Sequence, residues 1–474
     1  MSQSVKKILQ NSFLQTINVF STTGLNFILM LGYARLLGPE KLGTLVTAQA
    51  HIFIGIILVD LGMSNGLIAT LTRAEGLKLS LGRQSFRAFD LIKQVLLLRV
   101  SGASFAFASA CFFSYLSVRN MEGFEIKQSE FLKNIAFAPY LFAYAFQQTL
   151  TAYGIFRKLQ GLCVFANIIG IFISVAMALT LAWNGAAVSE ILFAQSSGGI
   201  FASVIIVIGF VVWPKNLVKE NIRNIKSNSR FWKKNAVSAL FRDAWPHTLV
   251  FAILTIWQRI DQIFASHLLG FEAGGQYGLA IRVVAIPILV ASAIFIALFP
   301  ELQRIGRDEP EKIAVYIGAV TKFLFRYGLF IAIILLYLLM NILTPILPKF
   351  QQALKLLPWF VPGIFAYWMY NFMIGSLWGL RKYKEIVVLH GIAFLFYLIY
   401  LPLLTKKFHL LGVIASYNIF AICLALLSYY VLKRMKILPS AHRVWKKYSS
   451  QEEIFINEML QKIFFNLKRK HDVL

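Results

Sequence analysis

Four ionisable side chains sit inside long apolar runs: Asp60, Arg259, Asp261 and Arg282. A charge in hydrocarbon is costly, so such groups either pair with one another or serve a charged ligand. A guanidinium offers a planar fork of donors that matches a phosphate, and a carboxylate can take up a proton or a small cation. Counted from the inner end of its run, Arg259 lies about 22 Å along a helix at 1.5 Å per residue. Arg282, six positions into the following run, reaches a similar depth from the other side, so the two arginines are expected to line one cavity. Asp60 and Asp261 are the ion-coupling candidates, for H+ or Na+. Arg259 and Asp261 are two positions apart and do not share a helix face, so Asp261 has a second reading as half of a structural ion pair. Arg99, Lys322 and Arg326 begin the inner ends of their runs and are expected to snorkel to headgroups.

Neutral polar residues recur at helical spacing around these charges. Asn11, Gln15, Thr22 and Asn26 trace one face of the first run, answered by His247, Thr255, Gln258 and Gln262 in the seventh and by Gln147, Gln148 and Thr151 in the fourth. Such faces predict a hydrated cavity, with interhelical hydrogen bonding as the alternative explanation. No catalytic acid pair and no metal-ligand spacing stands out, and no cofactor is implied. Cys111, Cys163 and Cys423 all lie within apolar runs, which excludes a disulfide framework.

The elements that must position these groups are set by composition. With 58% hydrophobic and only 14% charged residues, the chain is solvated mostly by lipid. Breaks at charge clusters, Gly and Pro predict twelve transmembrane helices, near 12–37, 44–72, 94–118, 131–156, 159–183, 188–213, 244–269, 276–300, 316–344, 359–380, 385–404 and 410–432. The fold class is therefore all-α and polytopic. Of the 47 Lys and Arg, 33 fall on one side of this arrangement and 9 on the other, which predicts both termini in the cytoplasm. The net charge of +26 follows from this loop bias and from anionic membrane lipids as partners, and nucleic-acid binding is excluded.

The chain also repeats itself. Leu36-Leu37-Gly38-Pro39-Glu40-Lys41-Leu42-Gly43, with Ala48 beyond, returns 232 residues later as Leu268-Leu269-Gly270-Phe271-Glu272-Ala273-Gly274-Gly275, with Ala280 beyond. Each copy ends one apolar run and leads into the next. The predicted division is an N-terminal six-helix bundle over 1–213, a basic cytoplasmic linker over 214–243, a C-terminal bundle over 244–432 and a basic amphipathic tail over 433–474. Like halves in a membrane chain point to a transporter with its site between repeats.

These stretches carry a family resemblance. Ala34 to Gly43, Asp60-Leu61-Gly62, Arg259-Ile260-Asp261, and Leu269-Gly270 through Tyr277 and Ala280 resemble the polysaccharide-exporter branch of the multidrug/oligosaccharidyl-lipid/polysaccharide exporter (MOP) superfamily, the Wzx-type flippases. Where that family has Tyr before the glycine this chain has Leu42, with Tyr277 supplying the aromatic in the second copy. The resemblance implies two like-oriented bundles in a V, and no enzymatic activity. It implies a substrate of short glycan on polyprenyl pyrophosphate, flipped from the inner to the outer leaflet of the plasma (inner) membrane by alternating access. Under it Arg259 and Arg282 bind pyrophosphate, Arg35 is a rim cation, and Asn26, Gln258 and Gln262 belong to the glycan surface. Polysaccharide polymerase and glycosyltransferases are the implied protein partners. A multidrug exporter and a murein-precursor lipid flippase of the same superfamily are the rival readings; a polymerase or glycosyltransferase would need larger outer loops than this chain has.

Overall fold

A computed structural model describes residues 3–64, 67, 71, 88–119, 124–157, 159–212, 230–308, 312–435 and 437. Among the described residues there is no strand, and those within each of the twelve expected spans are mainly helical. The helices are α1 (Gln3–Asp60), α2 (Ala88–Arg119), α3 (Phe124–Phe156), α4 (Gln160–Trp183), α5 (Val188–Val212), α6 (Arg230–Leu269), α7 (Phe271–Asp308), α8 (Lys312–Phe323), α9 (Leu329–Ile346), α10 (Gln351–Leu356), α11 (Val361–Gly379) and α12 (Tyr383–Arg434). Two of them carry two spans each, because α1 kinks at Gly38 and α12 kinks at His409. A π turn at Leu324–Gly328 joins α8 to α9 as one span.

Packing between α4 and α5 is of the kind seen in lipid. Along α4 the buried face includes Gly170, Ser174, Ala178 and Ala182 at every fourth position, while Phe172 and Met177 are exposed. A Cβ added at Gly170 would meet the carbonyl oxygen of Gly198 on α5, so the backbones of these two helices touch. Small residues inward and large apolar residues outward is the arrangement lipid selects, because helices gain by close backbone approach and not by hiding apolar surface. Seven of the described helical segments are long and apolar enough to cross a membrane. The protein is an all-α, multi-pass membrane protein.

The chain forms two compact units, Met1–Leu279 and Ala280–Leu474. In the first, α1 packs against α2, α3, α4 and α6; in the second, α11 runs along α12. Of the expected linker, residues 214–229 lie outside the described residues and 230–243 are already the start of α6. The amphipathic tail expected over 433–474 lies almost wholly outside the described residues. The second span differs from expectation. It breaks at Leu61 (φ 41) and Gly62 (φ 69) in place of running on, then resumes as helix at Met63.

The repeat is a repeated piece of backbone. Gly38 (φ 75) and Gly270 (φ 95) both take the left-handed region that glycine enters at little cost, and each turns the chain into a new helix. Glu40 and Glu272 follow in the first turn, where a carboxylate complements the helix N-terminus. The matched glycines then meet each other. A Cβ on Gly43 would strike the Phe271 carbonyl and lie 2.8 Å from the Gly275 nitrogen; one on Gly275 would strike the Pro39 carbonyl and lie 3.0 Å from the Gly43 nitrogen.

Candidate functional site

Beside this crossing, polar groups of α1, α6 and α7 interlock. Thr47 Oγ1 donates to Ser266 Oγ at 2.6 Å, and Gln262 Nε2 lies 3.2 Å from the same oxygen and 2.9 Å from the Gly274 carbonyl. The Tyr277 hydroxyl donates to Asp261, whose other carboxylate oxygen accepts the Gln262 backbone N–H at 2.7 Å. Both Asp261 and Gln262 are buried. Gln262, expected on a cavity surface, therefore has its amide committed to holding the α6–α7 turn. Asp261, read from the sequence as an ion-coupling group or half of an ion pair, is held by a tyrosine and an amide.

Arg259 is half-buried, with its guanidinium carbon 4.3 Å from the centroid of the Phe53 ring. Phe53 in turn meets Tyr140 edge to face at 5.7 Å, and Tyr140 stacks on Tyr144. A guanidinium this close to a ring face is attracted by the ring's quadrupole. α6 supplies Arg259, the second limb of α1 supplies Phe53, and α3 supplies the tyrosines.

Three of the remaining expected residues belong to the first compact unit. Asn26, Arg35 and Gln258 are exposed; Asn26 donates to the Thr22 carbonyl at 2.8 Å, and Arg35 ends the first limb of α1 just before the Gly38 kink. Arg282 is half-buried on α7, in the second compact unit.

Arg99 departs from expectation most. It lies about 16 Å into α2 at 1.5 Å per residue and is fully buried, where no snorkelling is possible. Its Nη2 donates to Asp60 Oδ1 at 2.8 Å and lies 2.7 Å from Ser64 Oγ, and its Nη1 donates to Thr149 Oγ1 at 2.9 Å. Ser64 also donates to Asp60 Oδ1 at 2.6 Å. The break at Leu61–Gly62 brings Asp60 and Ser64 to bear on one guanidinium, and the Leu61 carbonyl that it leaves outside the helix accepts from Thr248 on α6 at 2.8 Å. Asp60, the other ion-coupling candidate, is thus an ion-pair partner. The signal available in the sequence was the opposite charge of Asp60 and Arg99 in adjacent spans. It was masked by the Lys and Arg cluster upstream, which made Arg99 look like the end of a span.

Comparison with known proteins adds the following. The model for the polysaccharide biosynthesis protein family matches residues 8–306, and the MatE model matches residues 246–403. A multidrug resistance MATE family transporter of the MOP superfamily, in an inward-facing conformation, superposes with TM-score 0.63 at 15% identity, covering 91% of this chain and 98% of that one. The lipid II flippase MurJ, in an inward closed conformation, gives 0.64 at 13% identity, covering 98% and 100%. The Vibrio cholerae MATE transporter VcmN gives 0.59 at 14%, covering 91% and 98%. No curated protein matches the chain in sequence. At these identities the likeness establishes a common fold.

Proposed function

We propose, from the premise that the chain belongs to the polysaccharide biosynthesis protein family, that it flips a polyprenyl-pyrophosphate-linked oligosaccharide across the plasma membrane by alternating access. The chain is a membrane transporter of the MOP superfamily and not an enzyme. The observation that carries the finer reading is Arg259, a half-buried guanidinium at membrane depth stacked on Phe53. A pyrophosphate needs such a cation to leave water, whereas the lipid tail can stay in the bilayer. Arg282 and Arg35 are further phosphate candidates, and Asn26 and Gln258 candidate glycan contacts. The matching backbone at 36–43 and 268–275 supports reading 1–213 and 244–432 as like-oriented halves. The cation bias of 33 against 9 supports cytoplasmic termini. Inward-to-outward transport would be driven by H+ or Na+, and glycosyltransferases and a polymerase would act before and after it.

The test is surface display of glycan, with membrane protein level measured in parallel. Arg259→Ala should lower display about ten- to hundredfold, the loss of one or two charge-assisted hydrogen bonds. Arg259→Lys should restore it in part, since charge returns without the fork. Full display by an Arg259→Ala, Arg282→Ala double variant would overturn the reading. The MatE match over 246–403 favours a second reading, an ion-coupled multidrug exporter. Efflux of a cationic dye with no effect on glycan display would select it.

A further inference from the structure

The first compact unit contains a cavity of about 220 Å³ bounded by α1, the helical turn after Gly62, α3 and α4. Its polar wall is Asn18, Ser64, Gln148, Thr151, Gln160 and Asn167, and none of its lining residues bears a formal charge. Gln160 and Cys163 are buried, whereas Asn18, Gln148, Thr151 and Asn167 keep part of their surface exposed, so the cavity has a closed floor and an open rim. Asn18 Oδ1 and Thr151 Oγ1 are shut off from solvent and meet no protein donor or acceptor. A well-packed protein rarely leaves such oxygens unsatisfied, and here two of them belong to residues that line one space.

The chemistry of the wall selects the occupant. Four primary amides line the wall, with Asn167 Oδ1 already accepting from Gln147 Nε2 at 2.9 Å; of the two hydroxyls Thr151 can take either role, while Ser64 gives its proton to Asp60. The Asp60–Arg99 pair reaches the wall only through Ser64 and cancels its own charge. The volume equals about seven waters at ~30 Å³ each, the scale of one pyranose ring. Ile155 and Val164 add an apolar patch suited to the C–H face of such a ring. We propose that this cavity is a subsite for one uncharged monosaccharide of the carried glycan, and that it discriminates against acidic sugars. The proposal rests on the reading of the protein as a lipid-linked glycan flippase, and it separates the sugar's site from the arginine that takes the pyrophosphate.

The experiment uses full-length protein in nanodiscs and three synthetic probes: bare polyprenyl pyrophosphate, the same lipid bearing one glucose, and the same lipid bearing one glucuronate. Glucose is expected to tighten binding over the bare lipid, and glucuronate is not. The double variant Thr151→Val, Gln148→Leu should weaken the glucose probe about tenfold, the loss of two ordinary hydrogen bonds, and leave the bare lipid unchanged. The comparison of the three probes uses the unaltered protein and is independent of how the variant folds. If the bare lipid does not bind at all, the flippase reading fails and takes the subsite with it. If the bare lipid binds and glucose does not tighten binding, the cavity holds only water and the subsite is refuted while the flippase reading stands. Equal binding of glucuronate and glucose refutes the selection against charge.

Discussion

Removing Asp60 should cost this protein more stability than removing any exposed charge, because it strands Arg99. The guanidinium is fully buried and the Asp60 side chain is one-tenth exposed, with 2.8 Å between their atoms. Breaking a buried pair from one side leaves an uncompensated charge, which costs about 3–5 kcal/mol. Asp60→Ala falls in that class, since Ser64 and Thr149 can bond to Arg99 but cannot neutralise it. Arg99→Leu strands a carboxylate that Ser64 bonds but does not neutralise, and falls in the same class at about 3–5 kcal/mol. In the double variant Asp60→Ala, Arg99→Leu neither charge remains. Its cost should fall short of the sum of the singles by about 2–3 kcal/mol, the range contacting residues show in such cycles. The assay is thermal or denaturant unfolding of the purified protein in detergent, run on all four members of the cycle. Additivity within about 0.5 kcal/mol would refute the argument, since it would mean that the two groups do not depend on each other.

Three other expectations follow from the geometry. Gly43→Ala and Gly275→Ala should each destabilise the protein by about 1–3 kcal/mol, because the new Cβ meets backbone that has no rotamer to yield; Gly24→Ala, with nothing within 4 Å, should be neutral or mildly stabilising in the same unfolding measurement. Tyr277→Phe removes the hydroxyl that donates to buried Asp261 and should cost about 1–3 kcal/mol, whereas Tyr277→Phe combined with Asp261→Asn should recover part of that loss. For topology, a membrane-impermeant thiol reagent should label a cysteine introduced at residue 186 in intact cells and one at residue 226 only after permeabilisation; the reverse pattern would invert the orientation.

Much of the helical framework was legible in the sequence because lipid imposes a one-dimensional constraint. A span must be about 20 apolar residues long, so a run of that length between charge clusters can be read without knowing its neighbours. The breaks at Gly38 and Gly270 were legible for a related reason: only glycine takes a left-handed conformation without strain, and both are glycines at matched positions. The helix break at Leu61 was not, because a leucine at positive φ is held by its surroundings and leaves no compositional mark.

The site divided along the same line. Residue type and depth singled out Asp60, Arg259, Asp261, Gln262 and Arg282, since an ionisable or amide group in an apolar run is conspicuous wherever it packs. What each one does depends on partners that come from other helices. Gln262 looks like cavity lining until Ser266 and Gly274 are seen to take its amide, and Arg99 looks like a snorkelling end until Asp60 and Thr149 arrive from two other elements. Hydropathy is a property of one segment, and so the sequence by itself determined that this chain is a polytopic helical membrane protein with a repeated turn. Pairing is a property of two or three segments at 3 Å, and only the tertiary structure decided which charges are neutralised, which glycines touch, and which polar faces enclose a space.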